Sequence, residues 1–275
     1  MPFDPPLTDR EIAEALGHEV TNLVPLEQGG QGVVFRATID SSVGQNDVAL
    51  KIYFDDVLEE RTTREVAALE AIRLPTLVRL VAAGSCVLRS VTVRYVATEF
   101  VQGETLLSAL GRGPLSVQRV ARIGVDSAQT IEALWAARIV HRDIKPGNLM
   151  LATNGRAVLI DLGLARHVAL GSLTTAGLVW GTEGYMSPEQ MKGRRKLTCK
   201  SDLFALGIVL QEALLGRHPT GRQQAPLLRG GLRTEVLRAN LPPAFAEVID
   251  SVLSELPESR PLPRETASKL EPFTT

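Results

Sequence analysis

The apolar periodicity of this chain changes character once, near residues 100–103, and that change limits the fold more than any other feature. Before it, apolar residues come in short or alternating runs: Val33-Val34-Phe35, Val48 to Ile52, Val87 to Val93 and Tyr95 to Phe100. Such runs predict strands. One stretch interrupts them: Val57, Arg61, Arg64-Glu65, Ala68-Leu69 and Ile72 sit at helical spacing, and Pro75 closes it. Thr8 is a candidate cap for a short helix through Leu16, ended by Gly17. Beyond Gly103 the period is helical. Val120, Ile123, Ala128, Ile131, Leu134 and Trp135 mark a long amphipathic helix that stops before His141. Phe204 to Leu214 predicts a second, central helix, and Ala244 to Leu256 and Arg264 to Leu270 two more. Strands followed by helices predict an α+β fold with two lobes, divided near Phe100–Gly103.

Composition removes several classes. Thirty basic residues against 31 acidic ones give a net charge of −1, without the basic excess of a general nucleic-acid binder. Cys86 and Cys199 stand far apart with no CxxC, so neither a disulfide framework nor a zinc site is expected. The apolar run Phe204 to Leu210 is far shorter than the roughly 18 residues needed to span a membrane. The start, MPFDPPLTDRE, does not have the form of a signal peptide. The expectation is a soluble cytoplasmic chain without membrane or nucleic-acid partners.

The chemistry concentrates in HRDIKPGN, His141 to Asn148, just past the long helix. Asp161-Leu162-Gly163 and then Gly181-Thr182-Glu183-Gly184-Tyr185-Met186-Ser187-Pro188-Glu189 follow it. Upstream lie the glycine-rich turn Gln28-Gly29-Gly30-Gln31-Gly32 and the strand Val48-Ala49-Leu50-Lys51. Over residues 18–272 these motifs resemble eukaryotic-like (Hanks-type) protein kinases, closest to bacterial serine/threonine kinases. The resemblance implies residues 1–17 as an extension and a kinase domain with an N-lobe at 18–98, a hinge at 99–103 and a C-lobe at 104–272. It implies ATP and Mg²⁺, with Mn²⁺ as an alternative ion, and protein substrates with serine or threonine acceptors.

The same resemblance assigns roles. Gly29, Gly30 and Gly32 would let backbone N–H groups approach the phosphates. Lys51 would hold the α- and β-phosphates, aimed by Glu65, with Glu70 as the alternative carboxylate. Val34, Ala49 and Met150 would enclose the adenine, and Glu99 to Val101 would read its edge, with Thr98 behind. Asp143 would orient the substrate hydroxyl. Lys145 would neutralise the transferring phosphate, and Thr182 marks the serine/threonine branch. Asn148 and Asp161 would ligate the metal. Asp202 would anchor the catalytic loop, and Glu189 with Arg260 would form a buried ion pair. Arg142 implies an activation loop open to phosphorylation at Ser172, Thr174 or Thr175.

Departures are few. The first glycine of the family's loop is Glu27 here, Leu162 stands for a phenylalanine, and Ser187 stands for an alanine. Glu27 is the one argument for the alternative, a pseudokinase acting as a binding module; against it, Lys51, Glu65, Asp143, Asn148 and Asp161 are all present. His18, His167 and His218 have no evident partner in the sequence and are expected at the surface. Lys192, Arg194, Arg195, Lys196 and Lys200 are expected to be a solvated basic face. Arg217, Arg222, Arg229, Arg233 and Arg238 accumulate where the family docks substrates, which predicts acidic substrate surroundings. Nothing in the sequence indicates an oligomeric state.

Overall fold

The structure, a computed structural model, describes residues 7–16, 20–29, 32–41, 44–53, 59–162, 166–167, 181–194 and 196–275. The chain divides into two compact units, Met1–Arg73 with Val78–Val101, and Leu74–Leu77 with Gln102–Thr275.

The first unit holds a five-stranded antiparallel sheet in the order β1-β2-β3-β5-β4. Its strands are β1 (Val20–Gly29), β2 (Gly32–Ser41), β3 (Gly44–Tyr53), β4 (Leu80–Leu88) and β5 (Val91–Glu99). Period-two alternation sorts the side chains. Val33, Phe35, Ala37, Ile39, Val48, Leu50, Ile52, Val93, Tyr95 and Ala97 join one core. The register aligns Val34 with Lys51 and Ala49 with Thr98, so the candidate nucleotide residues share the opposite face. Helix α1 (Asp9–Leu16) closes the core with Ile12 and Leu16. Thr8 caps it as expected: Glu11 N–H donates to Thr8 Oγ1 at 3.3 Å, and Thr8 N–H returns a bond to Glu11 Oε2 at 2.8 Å. Helix α2 spans Glu59–Ala71.

The run Val87 to Val93 is not one strand. It breaks at Arg89 (φ 46°) and Ser90 (φ 68°), which form the two-residue turn between β4 and β5. Two consecutive left-handed residues match the twist of a tight hairpin. Asn-Gly would have announced that turn, and Arg-Ser does not. Arg89 has a compensating contact: its Nε and Nη2 donate to Glu11 Oε1 and Oε2 at 2.6 and 2.9 Å, clasping α1 to the hairpin.

The second unit is built on α4 (Val117–Ala136), α6 (Cys199–Leu215), α9 (Pro243–Val252) and α10 (Pro263–Leu270). Apart from Lys200, every residue of α6 from Cys199 to Leu214 is buried, because the helix is apolar nearly all round and sits at the centre. Thr198 caps its start and Gly216, at φ 70°, ends it, returning its N–H to Glu212 O at 2.8 Å. Short elements complete the unit: β6 (Gly103–Thr105), β8 (Leu149–Ala152) and β9 (Ala157–Leu159) form one small sheet, and β7 (Ile139–Val140) pairs with β10 (Arg166–His167). Helices α3 (Leu106–Leu110), α5 (Pro188–Met191), α7 (Gln224–Leu228) and α8 (Thr234–Leu237) lie between the long ones.

Candidate active site

Residues His141–Asn148 leave β7 as a loop whose conformation is set by a buried acid of α6. Arg142 has a left-handed backbone, φ 74°. Asp202 holds it there, accepting the N–H of His141 at 2.9 Å and of Arg142 at 2.8 Å. Burial pushes the Asp202 carboxyl above its ordinary value, and His141, Arg142 and the two N–H bonds oppose that rise. Gln190 Nε2 caps the Arg142 carbonyl at 3.1 Å. His141 is fully buried, and its Nδ1 accepts the Asp143 N–H at 3.1 Å. The imidazole is thus committed to the loop's backbone.

The loop brings four of the expected residues together. Asp143 Oδ1 accepts the Thr182 hydroxyl at 2.6 Å, and Asp143 Oδ2 pairs with Lys145 Nζ at 2.8 Å. Lys145 Nζ also donates to Thr182 Oγ1 at 2.9 Å, which closes a triangle. Asn148 Nδ2 donates to the Asp143 carbonyl at 2.8 Å and to Asp143 Oδ2 at 3.3 Å. A carboxylate held this way can accept a proton-bearing hydroxyl in a fixed direction, beside a cation that offsets developing negative charge.

The amide nitrogen of Asn148 is occupied by Asp143, so its oxygen is the atom left to ligate a metal. Ile160 N–H donates to the Asn148 carbonyl at 3.0 Å, tying the approach to Asp161 into the same unit. An amide oxygen and a carboxylate are the hard donors Mg²⁺ prefers, and this set fits it.

In the first unit, Lys51 Nζ lies over the Tyr53 ring at 4.9 Å, and the Tyr53 hydroxyl hydrogen-bonds Glu65 on α2. Glu65 is buried and Glu70 exposed. Tyr53 was absent from the sequence expectations. Its signal was available, since it lies two positions past Lys51 and so on the same face. Gly32 has a structural reason of its own: a Cβ there would sit 2.1 Å from the Ile52 carbonyl oxygen. Glu99 forms an exposed pair with Arg79 at 3.1 Å. Thr98 is buried, Val101 and Met150 are half-buried, and Asp161 is partly exposed. The side chain of Glu27, together with Gly30, Ser172, Thr174 and Thr175, lies outside the described residues.

Among the described residues Arg260 is the largest fully buried side chain, and all five of its N–H groups are used. It grips Glu189 with two bonds of 2.8 and 2.9 Å and caps the carbonyls of Lys200, Ser254 and Glu255. Burial alone would raise the Glu189 carboxyl; the bonds from Arg260 and Ser201 outweigh it and leave it below its ordinary value. Ser187, in place of the family's alanine, caps α5 in a reciprocal box with Gln190.

Two surface expectations need correction. His218 is half-buried and hydrogen-bonded, with Nε2 against the Gly184 carbonyl at 2.9 Å. Arg238 caps the carbonyls of Leu115 and Leu214 at 3.1 and 2.9 Å, so its charge serves the fold. Within the basic run, Lys192 pairs with Glu255, and Lys200 caps the Arg260 carbonyl.

The family profile described as "Protein kinase domain" matches residues 21–270. The chain belongs to the protein kinase domain family. Its fold is accordingly the α+β protein kinase fold, with a β-rich unit and a helical unit. It is 35% identical over 231 residues to serine/threonine-protein kinase pkn2 of Myxococcus xanthus, covering 80% of this chain and 27% of that protein. It is 32% identical over 256 residues to the kinase AfsK of Streptomyces coelicolor, covering 90% and 31%. With PknB of Mycolicibacterium smegmatis the figures are 33% over 181 residues, 63% and 29%. The kinase domain thus spans less than a third of the length of each of these relatives.

Proposed function

We propose that this chain is an ATP-dependent serine/threonine protein kinase that transfers the γ-phosphoryl group to protein hydroxyls. The observation that carries the reading is the closed triangle of Asp143, Lys145 and Thr182, with Asn148 bracing Asp143. Phosphoryl transfer needs positioning and charge neutralisation more than covalent chemistry, and these residues supply both. In this reading Asp143 accepts the hydrogen bond of the substrate hydroxyl and aims its oxygen in line. Lys145 offsets charge on the transferring group. Thr182 holds the two together. Lys51 binds the α- and β-phosphates, Glu65 aims its amine, and Val34, Ala49, Met150, Glu99 and Val101 receive the adenine. Mg²⁺, or Mn²⁺ in its place, would be held by Asn148 and Asp161 and would neutralise phosphate charge.

The test is turnover of γ-labelled ATP on a generic protein acceptor, with Asp143→Asn as control. Label in the wild type that falls at least about 100-fold in the variant supports the reading. Equal label in both proteins, or none in either, refutes it and favours the binding module.

The proposed substrates carry acidic residues near the acceptor. Arg217, Arg222, Arg229 and Arg233 are exposed on the helical unit, Arg233 with Asp250 at 3.7 Å. A peptide array in which acidic flanks make no difference to phosphorylation would sink that preference. A cytoplasmic location is proposed with it; among the described residues no helix is long and apolar enough to cross a membrane.

A further inference from the structure

Residues 181–187 run from beside Thr182 to the start of α5, and side chains along them are tied to the helical unit. Thr182 bonds Asp143, Glu183 Oε1 accepts from Gln224 Nε2 at 3.1 Å, and the Tyr185 hydroxyl donates to Glu212 Oε2 at 2.6 Å. Gly184 has no side chain to offer and is held by its carbonyl, which faces His218 Nε2 at 2.9 Å. Its backbone is left-handed, φ 93°, and a Cβ there would meet both His218 Nε2 and Arg222 Cγ at 3.0 Å.

His218 Nδ1 accepts the backbone N–H of Thr220 at 3.2 Å and of Arg222 at 2.9 Å. Two N–H donors on Nδ1 require it to be unprotonated there, so the ring proton sits on Nε2 and points at the Gly184 carbonyl. The turn it organises contains two left-handed residues, Gly221 (φ 59°) and Arg222 (φ 67°). The ring stands edge-on to Tyr185, with centroids 5.2 Å apart. The imidazole therefore joins the backbone at Gly184 to the turn at Thr220–Arg222.

We propose that neutral His218 is a positioning residue that sets the backbone of residues 181–187, and with it the bed on which a protein substrate lies beside Thr182 and Asp143. The inference rests on the kinase reading for what is positioned. The charged and titratable groups around the ring are Glu212 on α6, Tyr185 on the segment and Arg222 in the turn. Burial, the largest influence, keeps the imidazole below the ordinary histidine value of 6.5, against the pull of the Gly184 carbonyl and Glu212. Protonation at Nδ1 would expel both N–H donors and release the turn.

The test compares the full-length wild type with His218→Ala and His218→Gln by hydrogen exchange, corrected for intrinsic rates, and by steady-state kinetics. His218→Ala is expected to raise exchange in residues 181–187 and to raise the peptide KM about tenfold, with the KM for ATP unchanged. Glutamine supplies an N–H for Gly184 but no ring acceptor, so it restores protection at 181–187 and not at 219–222. Should the alanine variant unfold, acid titration of the wild type reads the same release, as exchange in 181–187 that rises before global unfolding. Unchanged exchange in the variant, a wild type flat in acid until it unfolds, or KM values that move in parallel overturns the proposal. A wild type without phosphate transfer but with the expected exchange pattern refutes the kinase reading and leaves the strut standing.

Discussion

Arg260 and Glu189 illustrate how much can depend on one pair of side chains. The guanidinium makes five hydrogen bonds to four residues and stacks over Phe204 at 4.9 Å, so its planar fork is matched on every side. A lysine amine cannot satisfy two carboxylate oxygens and three carbonyls arranged in a plane. Arg260→Met, which leaves Glu189 buried without its partner, is expected to cost about 3–5 kcal/mol, measured by urea unfolding. The identities of this pair, and of Asp143, Lys145 and Asn148, were legible in the sequence because motif residues carry their own labels. Gln190 and His218 were not legible. Their partners lie 48 and 34 positions away, and no local pattern announces a contact at that distance.

Among the elements, α1 shows the difference between legible form and hidden role. Thr8 and the apolar spacing marked the helix, and the structure adds that Ile12 is fully buried in the core of the sheet. Ile12→Ala should therefore lower stability by about 2–5 kcal/mol, measured by thermal or urea unfolding. Arg89→Ala, which removes the exposed clasp to Glu11, is expected to have a smaller effect than Ile12→Ala, because solvent screens that pair. The β4–β5 hairpin marks the limit in the other direction. Its strands were visible as apolar runs, but the break at Arg89-Ser90 was not, since the turn is stabilised by what it packs against and not by its own residue types.

For the molecule as a whole, stability should fall in two stages on acidification. His218 is held below 6.5, so the unfolded chain binds its proton first; the stability it contributes is present above 6.5 and declines as pH drops below that value. Glu189 is held below 4.5, so its contribution is full above 4.5 and is lost as pH falls through the lowered value. Melting temperatures measured across this range should show both stages in the wild type, and His218→Gln should remove the upper one. The family, the segregation of strands from helices and the residues that carry the proposed chemistry can be read along the chain, because periodicity and motif spacing are local properties. Which polar groups answer one another is set by the folded arrangement. The Asp202 bonds to the backbone of His141 and Arg142, the five bonds of Arg260 and the tautomer of His218 all depend on segments brought together by burial, where an unmet hydrogen bond is costly enough to dictate the arrangement.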